Sequence, residues 1–183
     1  MGYTIWPYGR YAPGKQWNVS DEDMVKIFLR MAAKGLHERV FYMGEIKSPF
    51  DWLSVVKNPT NSVHLIVDDD NIPVAIAWLN TMRWSSALAH FCILPEGWGR
   101  EKSTDIGNAT MNYWWSMNRP DGTPIWKTIR GETPSNNRLA LKFIQRIGFK
   151  IIGTIPNERW DRYRNEPVDL VYSYAEHPNG REQ

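Results

Sequence analysis

The stretch NNRLALKFIQRIGF, residues 136–149, carries the clearest local pattern in the sequence. Its apolar side chains recur at intervals of three and four residues, at Ala140, Phe143, Ile144 and Ile147. This spacing predicts an amphipathic helix that buries one face. Gly148 follows the last apolar position, as is typical of the residue that ends a helix.

Strands and helices are predicted on both sides of this segment. Three further helices are expected, the first capped by Ser20, the second starting near Pro49 and the third capped by Ser103 or Thr104. Runs of β-branched, aromatic and other apolar residues predict seven strands, at residues 3–7, 62–67, 74–79, 87–94, 124–130, 149–155 and 168–174. The order is therefore strand, two helices, three strands, helix, strand, helix and two strands.

The length and composition fit one folded domain. The 183 residues are 42% hydrophobic and 23% charged, which is ordinary for a globular chain with a single core. Residues 1–183 are expected to form that domain. Within it, residues 1–17 should form an edge strand followed by an irregular arm, and residues 175–183 a flexible tail.

Composition also limits the partners. A net charge of +2 is too small to indicate a nucleic-acid partner, and no apolar stretch is long enough to span a membrane. Cys92 is the single cysteine, so no internal disulfide can form, and we expect a cytoplasmic protein. The ten Trp and eight Tyr fill a core, or they provide an aromatic surface for a protein partner or a homo-oligomer.

The helical stretch and the order of elements together resemble the GNAT superfamily of acetyl-CoA-dependent N-acyltransferases. The family pattern Asn-x-x-Ala-x-x-x-Tyr-x-x-x-Gly-Phe is met at Asn137, Ala140, Gly148 and Phe149. The resemblance runs from about Tyr3 to Tyr174. It implies an α/β (α+β) fold in which about four helices flank a mixed, mostly antiparallel, twisted sheet. It also implies that the strands containing His90 and Trp126 splay apart near Pro95.

Acetyl-CoA is the cofactor that the resemblance implies. The family's phosphate-binding loop aligns with Lys102, Asp105 and Gly107, and Asp105 there would oppose an anion. Arg100 would offset that charge, or Gly97 and Gly99 would form a loop of different shape; ordinary turn glycines and solvated cations are the alternative. The resemblance also assigns the cofactor-binding residues Ile93 and Asn137.

Catalysis by the family often uses a tyrosine acid, and Ile144 stands at that position. A thiol with a pKa of about 8.5 leaves without an acid, so the change is tolerable. His90 is the candidate general base because it interrupts an apolar strand, and Glu96 is the second choice. A hydrogen-bonded core histidine is the alternative interpretation of His90.

The acceptor is expected to be an amine, on a small molecule or a protein, whose identity the sequence does not specify. The family places acceptors against its first helices and the loop between its last strands. The corresponding polar and aromatic residues are Glu45, Asp51, Trp52, Glu158, Trp160 and Asp161.

Two hypotheses follow. The first is an N-acetyltransferase. The second is a GNAT-fold assembly or binding module without coenzyme binding, similar in size and in its altered loop to accessory proteins of bacteriophage virions. A nucleic-acid-binding arm containing Arg10 and Lys15 is the weakest reading, because few basic residues cluster there.

Overall fold

The structure, a computed structural model, describes residues 2–9 and 19–179. Most of the arm predicted at the N-terminus, and residues 180–183 of the predicted tail, lie outside the described residues. Residues 171–176 are the end of a strand, so the part of the predicted tail before His177 is ordered structure.

Three helices precede the main part of the sheet: α1 (Asp21–Ala33), α2 (Leu36–Val40) and α3 (Pro49–Lys57). Helices α1 and α3 begin in the same way. Ser20 caps α1 and Ser48 caps α3, and in each case an aspartate three residues later accepts a hydrogen bond from the backbone of the cap. These reciprocal bonds satisfy N–H groups that the helix itself leaves unpaired.

Seven strands form one sheet: β1 (Tyr3–Pro7), β2 (Ser62–Asp68), β3 (Pro73–Arg83), β4 (Ser86–Ile93), β5 (Thr128–Pro134), β6 (Lys150–Asp161) and β7 (Glu166–Glu176). Their order is β1-β2-β3-β4-β5-β7-β6, and only β4 and β5 pair in parallel. The predicted mixed, mostly antiparallel sheet is confirmed. The fifth strand starts at Thr128, so the prediction that Trp126 lies within it is wrong.

Strands β4 and β5 pair over only a short length. Ser86, Ala87 and Leu88 lie opposite Thr128, Ile129 and Arg130, and no later residue of either strand pairs with the other. Strand β5 continues along β7 as far as Pro134, whereas β4 continues along β3 as far as Ile93. The two strands therefore diverge towards Pro95, as the sequence predicted.

Helix α4 (Arg100–Trp115) starts four or five residues earlier than the sequence predicted. A short 3₁₀ turn, Pro95–Gly97, follows β4, and Gly99 is the N-cap of α4 with a φ of 113°. This positive φ suits glycine, which has no Cβ to clash with the backbone. Ser103 and Thr104 donate their hydroxyl hydrogens to the carbonyl of Arg100 and do not cap the helix.

Two apolar cores cover the two faces of the sheet. Helix α4 and helix α5 (Arg138–Arg146) pack on one face, around Trp114, and α1 to α3 pack on the other, around Trp52. Among the described residues five tryptophans are buried, which supports the core interpretation for them: Trp52, Trp78, Trp114, Trp115 and Trp126. Trp84, Trp98 and Trp160 are exposed. Among the described residues the five α-helices are too short or too polar to cross a bilayer.

Gly107 lies where α4 approaches α5 closely. A Cβ at this position would come within 2.6 Å of Ile147 Cγ2 and 2.9 Å of the Phe143 ring. The sequence assigned Gly107 to a phosphate-binding loop, but the residue is inside α4 and buried against α5. Its role in the structure is to permit helix packing.

We expect Gly107→Ala to lower the free energy of unfolding by roughly 1–2 kcal/mol in urea titrations, because overpacking outweighs the gain in helix propensity. Gly153→Ala is the matched control, because nothing lies within 4 Å of a Cβ there. That variant should stay within about 0.5 kcal/mol of the parent. Equal effects of the two substitutions would contradict the packing role of Gly107.

Candidate active site

A cavity of about 550 Å³, here called the basic cavity, opens where β4 and β5 diverge. Helix α2 forms one wall, and α5 and the start of α4 form the other. None of its lining residues in the described part of the chain is acidic. Four are cations: Lys34, Arg39, Arg100 and Arg146. A cavity of this charge attracts anions.

The N-terminus of α4 points into the basic cavity. No side chain caps this helix end, so the N–H groups of its first turn are available to a ligand. Arg146 reaches the same place from α5, where its Nε donates to Thr104 Oγ1 over 2.9 Å. A positive helix end beside a guanidinium is a suitable site for a phosphate group.

The backbone of β4 lines the gap beyond Leu88. The Leu94 N–H donates to Val74 of β3 over 2.9 Å, and the Ile93 carbonyl accepts from Trp98 Nε1 over 3.1 Å. Hydrogen-bonding sides alternate along an antiparallel strand, so the backbone groups of Ala89 and Phe91 face the gap, as those of Ile93 do. They form a strand edge to which an extended ligand can bond.

A second cavity of about 490 Å³ passes through the sheet beside the basic cavity, and we call it the through-sheet cavity. Its walls carry His90. The imidazole of His90 stacks on Trp78 with the ring centroids 4.7 Å apart, and its Nε2 lies 3.1 Å from Asn80 Oδ1. Because an amide oxygen only accepts, Nε2 carries the proton and Nδ1 keeps its lone pair.

Burial lowers the pKa of His90 to about 4, so the ring is neutral at pH 7. The charged imidazolium is the form that loses hydration in a cavity, which explains the direction of the shift. Burial also lowers the pKa of His64 to about 4. His64 lies in the core away from the cavities, where it accepts a hydrogen bond from Trp114.

Carboxylates lie on the lining of the through-sheet cavity, at Glu45 and Glu132. The guanidinium of Arg159 lies near Glu132 and near its chain neighbour Glu158. The nitrogen to oxygen distances are 3.8 Å to Glu132 and 3.4 Å to Glu158. Tyr42 lines the same cavity, and burial raises the pKa of its hydroxyl to about 12. Arg39 and Arg159 also line this cavity, so its acidic and basic groups balance, whereas four cations line the basic cavity.

A third, smaller space of about 130 Å³, the side pocket, lies under the turn between β6 and β7. Asp161 holds this turn, because its buried carboxylate accepts the N–H groups of Tyr163 and Arg164 at 3.0 Å each. The Arg162 N–H donates to Tyr42 over 2.8 Å, which fixes the turn to the segment between α2 and α3.

Arg39 and Asn137 line all three spaces. Asn137 caps α5, where its Oδ1 accepts the Ala140 N–H over 3.2 Å. This bond uses the amide oxygen of Asn137 and does not use its amide N–H groups. The two residues come from α2 and α5, on opposite sides of the gap. They therefore mark the junction of the three spaces.

Comparison with known proteins identifies the fold. No family model matches the chain, and no curated protein matches it. A spermidine N-acetyltransferase from Vibrio cholerae, solved with CoA and spermine, matches with a TM-score of 0.70 and 14% identity over 96% of this chain and 95% of that chain. The fold is the GNAT N-acyltransferase fold. A dodecameric spermidine N-acetyltransferase from the same organism matches with a TM-score of 0.68 and 13% identity, over 98% of this chain and 96% of that chain.

The GNAT-based assignments divide between residues that line the cavities and residues that do not. Ile93, Arg100 and Asn137 line the basic cavity, and His90 lines the through-sheet cavity. Four others are absent from both linings: Glu96, Lys102, Asp105 and Gly107.

The placement of α4 explains the positions of two of these residues, and an ion pair explains that of a third. Lys102 and Asp105 were expected in a loop, but both lie inside the helix, and Asp105 is exposed. Glu96 is in the 3₁₀ turn, where its carboxylate pairs with Arg30 of α1 at 2.6 Å. This ion pair directs the carboxylate away from the cavities.

The predicted acceptor residues also separate. Glu45 lines the through-sheet cavity, and Asp161 lines the side pocket. Asp51 accepts the N–H groups of Lys47 and Ser48 at the start of α3, and Trp52 is fully buried in the core. Glu158 is held by Arg159, and the Trp160 side chain is exposed.

Sequence reasoning missed the cations on the side of α2 and α5. The three cations missed belong to no motif: Lys34, Arg39 and Arg146. The sequence indicates them only through basic residues that follow α1 and end α5. Such residues are common near helix C-termini, where they also interact with the helix dipole. Their convergence depends on packing across the gap.

We expect the protein to lose stability as the pH falls from about 6.5 to 4, because the unfolded histidines bind protons that folded His64 and His90 exclude. Below the folded pKa both states are protonated, so the loss from these groups stops. Urea unfolding at pH 7 and pH 5 should show a smaller difference for His90→Gln than for the parent. Identical differences would show that His90 titrates normally in the folded state.

Proposed function

We propose that this protein is an N-acetyltransferase that moves an acetyl group from acetyl-CoA to an amine. The observation that carries the proposal is the gap between β4 and β5, which leads from the uncapped N-terminus of α4 to a cavity through the sheet. The GNAT fold and the CoA in one of the similar structures support it.

Acetyl-CoA fits the residues present. Its phosphates require N–H groups and cations, which the first turn of α4, Arg100 and Arg146 supply in the basic cavity. Its pantetheine arm carries amides that match the exposed backbone edge of β4 at Ala89, Phe91 and Ile93. When bound, it supplies an activated acetyl group as a thioester.

His90 is the candidate general base on the other side of the gap. Its Nδ1 lone pair is available at pH 7 because the ring is neutral, and Asn80 fixes the ring orientation. A pKa near 4 makes it a weak base, so His90 acts best on a nucleophile that has already lost most of its charge, directly or through a water. Amine deprotonation is therefore expected to limit the rate below neutral pH.

The acceptor is an amine that enters through the through-sheet cavity. Glu45 and Glu132 on this lining attract a protonated amine, and Arg39 and Arg159 on the same lining offset their charge, which favours loss of the amine proton. One similar enzyme binds spermine. We extend only the class of acceptor to this chain, an amine with positive charge.

The alternative of a binding module without coenzyme is less well supported by the geometry. One of its supports was Asp105 at the anion site, but Asp105 is exposed inside α4 and does not line the basic cavity. Its other supports were Ile144 at the position of the family's tyrosine and an aromatic surface, to which the exposed Trp84, Trp98 and Trp160 contribute. The similar structures described above are bacterial enzymes, so they add nothing to the bacteriophage resemblance.

Coenzyme binding is tested by charge reversal at Arg100. We expect Arg100→Glu to weaken acetyl-CoA binding at least about tenfold in calorimetric titrations, because it replaces an attraction for the phosphates by a repulsion. Lys102→Glu is the matched control, since the same charge change occurs on the same helix outside the cavity. Its effect should be about threefold or less and should fall as salt rises.

The two variants also compare two alignments of the loop. A larger loss for Lys102→Glu than for Arg100→Glu would support the loop position that the sequence suggested. Absence of saturable binding by the parent at millimolar acetyl-CoA would refute the proposed function.

The role of His90 is tested by turnover. We expect His90→Gln to lower kcat by roughly a hundredfold with little change in acetyl-CoA affinity, since general bases contribute about that much and act only in the transition state. His64→Gln is the control, because His64 has the same lowered pKa but lies outside the cavities. Unchanged kcat in His90→Gln, measured with any amine that the parent accepts, would exclude His90 as the base.

A further inference from the structure

In the GNAT family a tyrosine often protonates the departing sulfur of acetyl-CoA. Ile144 of α5 stands at that position here and cannot act as an acid. The α5 side chains that line the through-sheet cavity are Ala140, Phe143 and Ile144, and none of them can donate a hydrogen bond. Arg146, at the end of α5, lines only the basic cavity, where its Nε donates to Thr104 Oγ1. A thiolate that forms among apolar side chains is poorly solvated, because burial disfavours the charged form. Another group must therefore stabilise it.

Three polar side chains near the gap are poorly suited to this task. His90 is neutral and has a pKa of about 4, so it carries no charge that could stabilise a thiolate. Tyr42 has a pKa of about 12, and it lines the through-sheet cavity and the side pocket without reaching the basic cavity. Lys34 lines only the basic cavity.

Arg39 and Asn137 both border the two large cavities, but only Arg39 carries a charge that can balance a thiolate. It lies near the end of α2, across the gap from α5, and it lines the basic cavity, the through-sheet cavity and the side pocket. Within the described part of the chain its guanidinium has no ion pair or hydrogen bond, so its donors are available to a ligand. Arginine stays charged at every relevant pH and offers five N–H donors.

We propose that Arg39 is a catalytic residue that stabilises the departing thiolate, a role that rests on the proposed acetyltransferase function. The new bond joins the amine nitrogen to the acetyl carbon, and the carbon–sulfur bond breaks. His90 passes the amine proton to solvent, and Arg39 pairs with the sulfur, which leaves with the bonding electrons. Water then protonates the thiolate, so charge and protons balance.

The acidity of the thiol in bound CoA measures this interaction directly. The ultraviolet absorbance of the thiolate is titrated against pH in the complex with CoA, and the complex with desulfo-CoA serves as the blank. Cys92 does not interfere below about pH 10, because burial raises its pKa to about 12. We expect the thiol of bound CoA to titrate at least about one unit below its value in free CoA, since an adjacent opposite charge has that effect.

Arg39→Met removes the charge and keeps much of the side-chain volume. This variant should bind CoA, should show no lowering of the thiol pKa, and should lose roughly tenfold to a hundredfold in kcat. Arg39→Lys should recover part of both effects. Lys34→Met is the matched control, because Lys34 is a cation of the basic cavity alone, and it should weaken CoA binding while the thiol pKa stays lowered.

The outcomes separate the two proposals. Saturable CoA binding with the same thiol pKa in the parent and in Arg39→Met overturns the role of Arg39 and leaves the proposed function standing. The same loss of thiol acidity in Lys34→Met and Arg39→Met also overturns it, because the lowered thiol pKa would then come from the total positive charge of the cavity and not from Arg39. Absence of CoA binding by the parent refutes both proposals.

Discussion

The short parallel pairing of β4 with β5 is the constraint on which the rest of the site depends. After Leu88 the two strands follow different partners, so neither can satisfy the backbone groups that the other exposes. Unpaired backbone groups inside a protein carry a large free-energy cost, so the gap must hold water or a ligand. The sheet itself thereby provides an extended binding edge at Ala89 and Phe91.

The helices around the gap give its two ends different electrostatics. On one side Gly99 allows α4 to start without a capping side chain, and Arg100 and Arg146 add positive charge to that helix end. On the other side Glu45 and Glu132 face the opening together with Arg39 and Arg159, so their charges balance. The two faces of the sheet therefore offer two entrances of different charge, and the proposed donor and acceptor would not compete for one of them.

The junction of the three spaces lies between segments that belong to opposite layers. Asn137 at the start of α5 and Arg39 near the end of α2 both line it. The turn between β6 and β7 supports the side of α2, because Asp161 orders the turn and Arg162 bonds to Tyr42. Small changes in how these layers pack would alter the junction more than they would alter either cavity alone.

The sequence by itself determined the order of the seven strands and of four helices, including the amphipathic helix before Gly148, but it missed the short helix α2. These features depend on periodicity and on caps that act within about four residues of one another. The divergence of β4 and β5 was implied by the GNAT resemblance and not by these local patterns. The sequence prediction misplaced the start of α4, because Ser and Thr are common N-cap residues and the prediction places the cap at Ser103 or Thr104. The helix instead starts after Gly99, whose φ of 113° cannot be inferred from a local sequence pattern. Only the tertiary structure placed Arg39 and Asn137 on the same cavities, since the packing of two helices across an open sheet decides that arrangement.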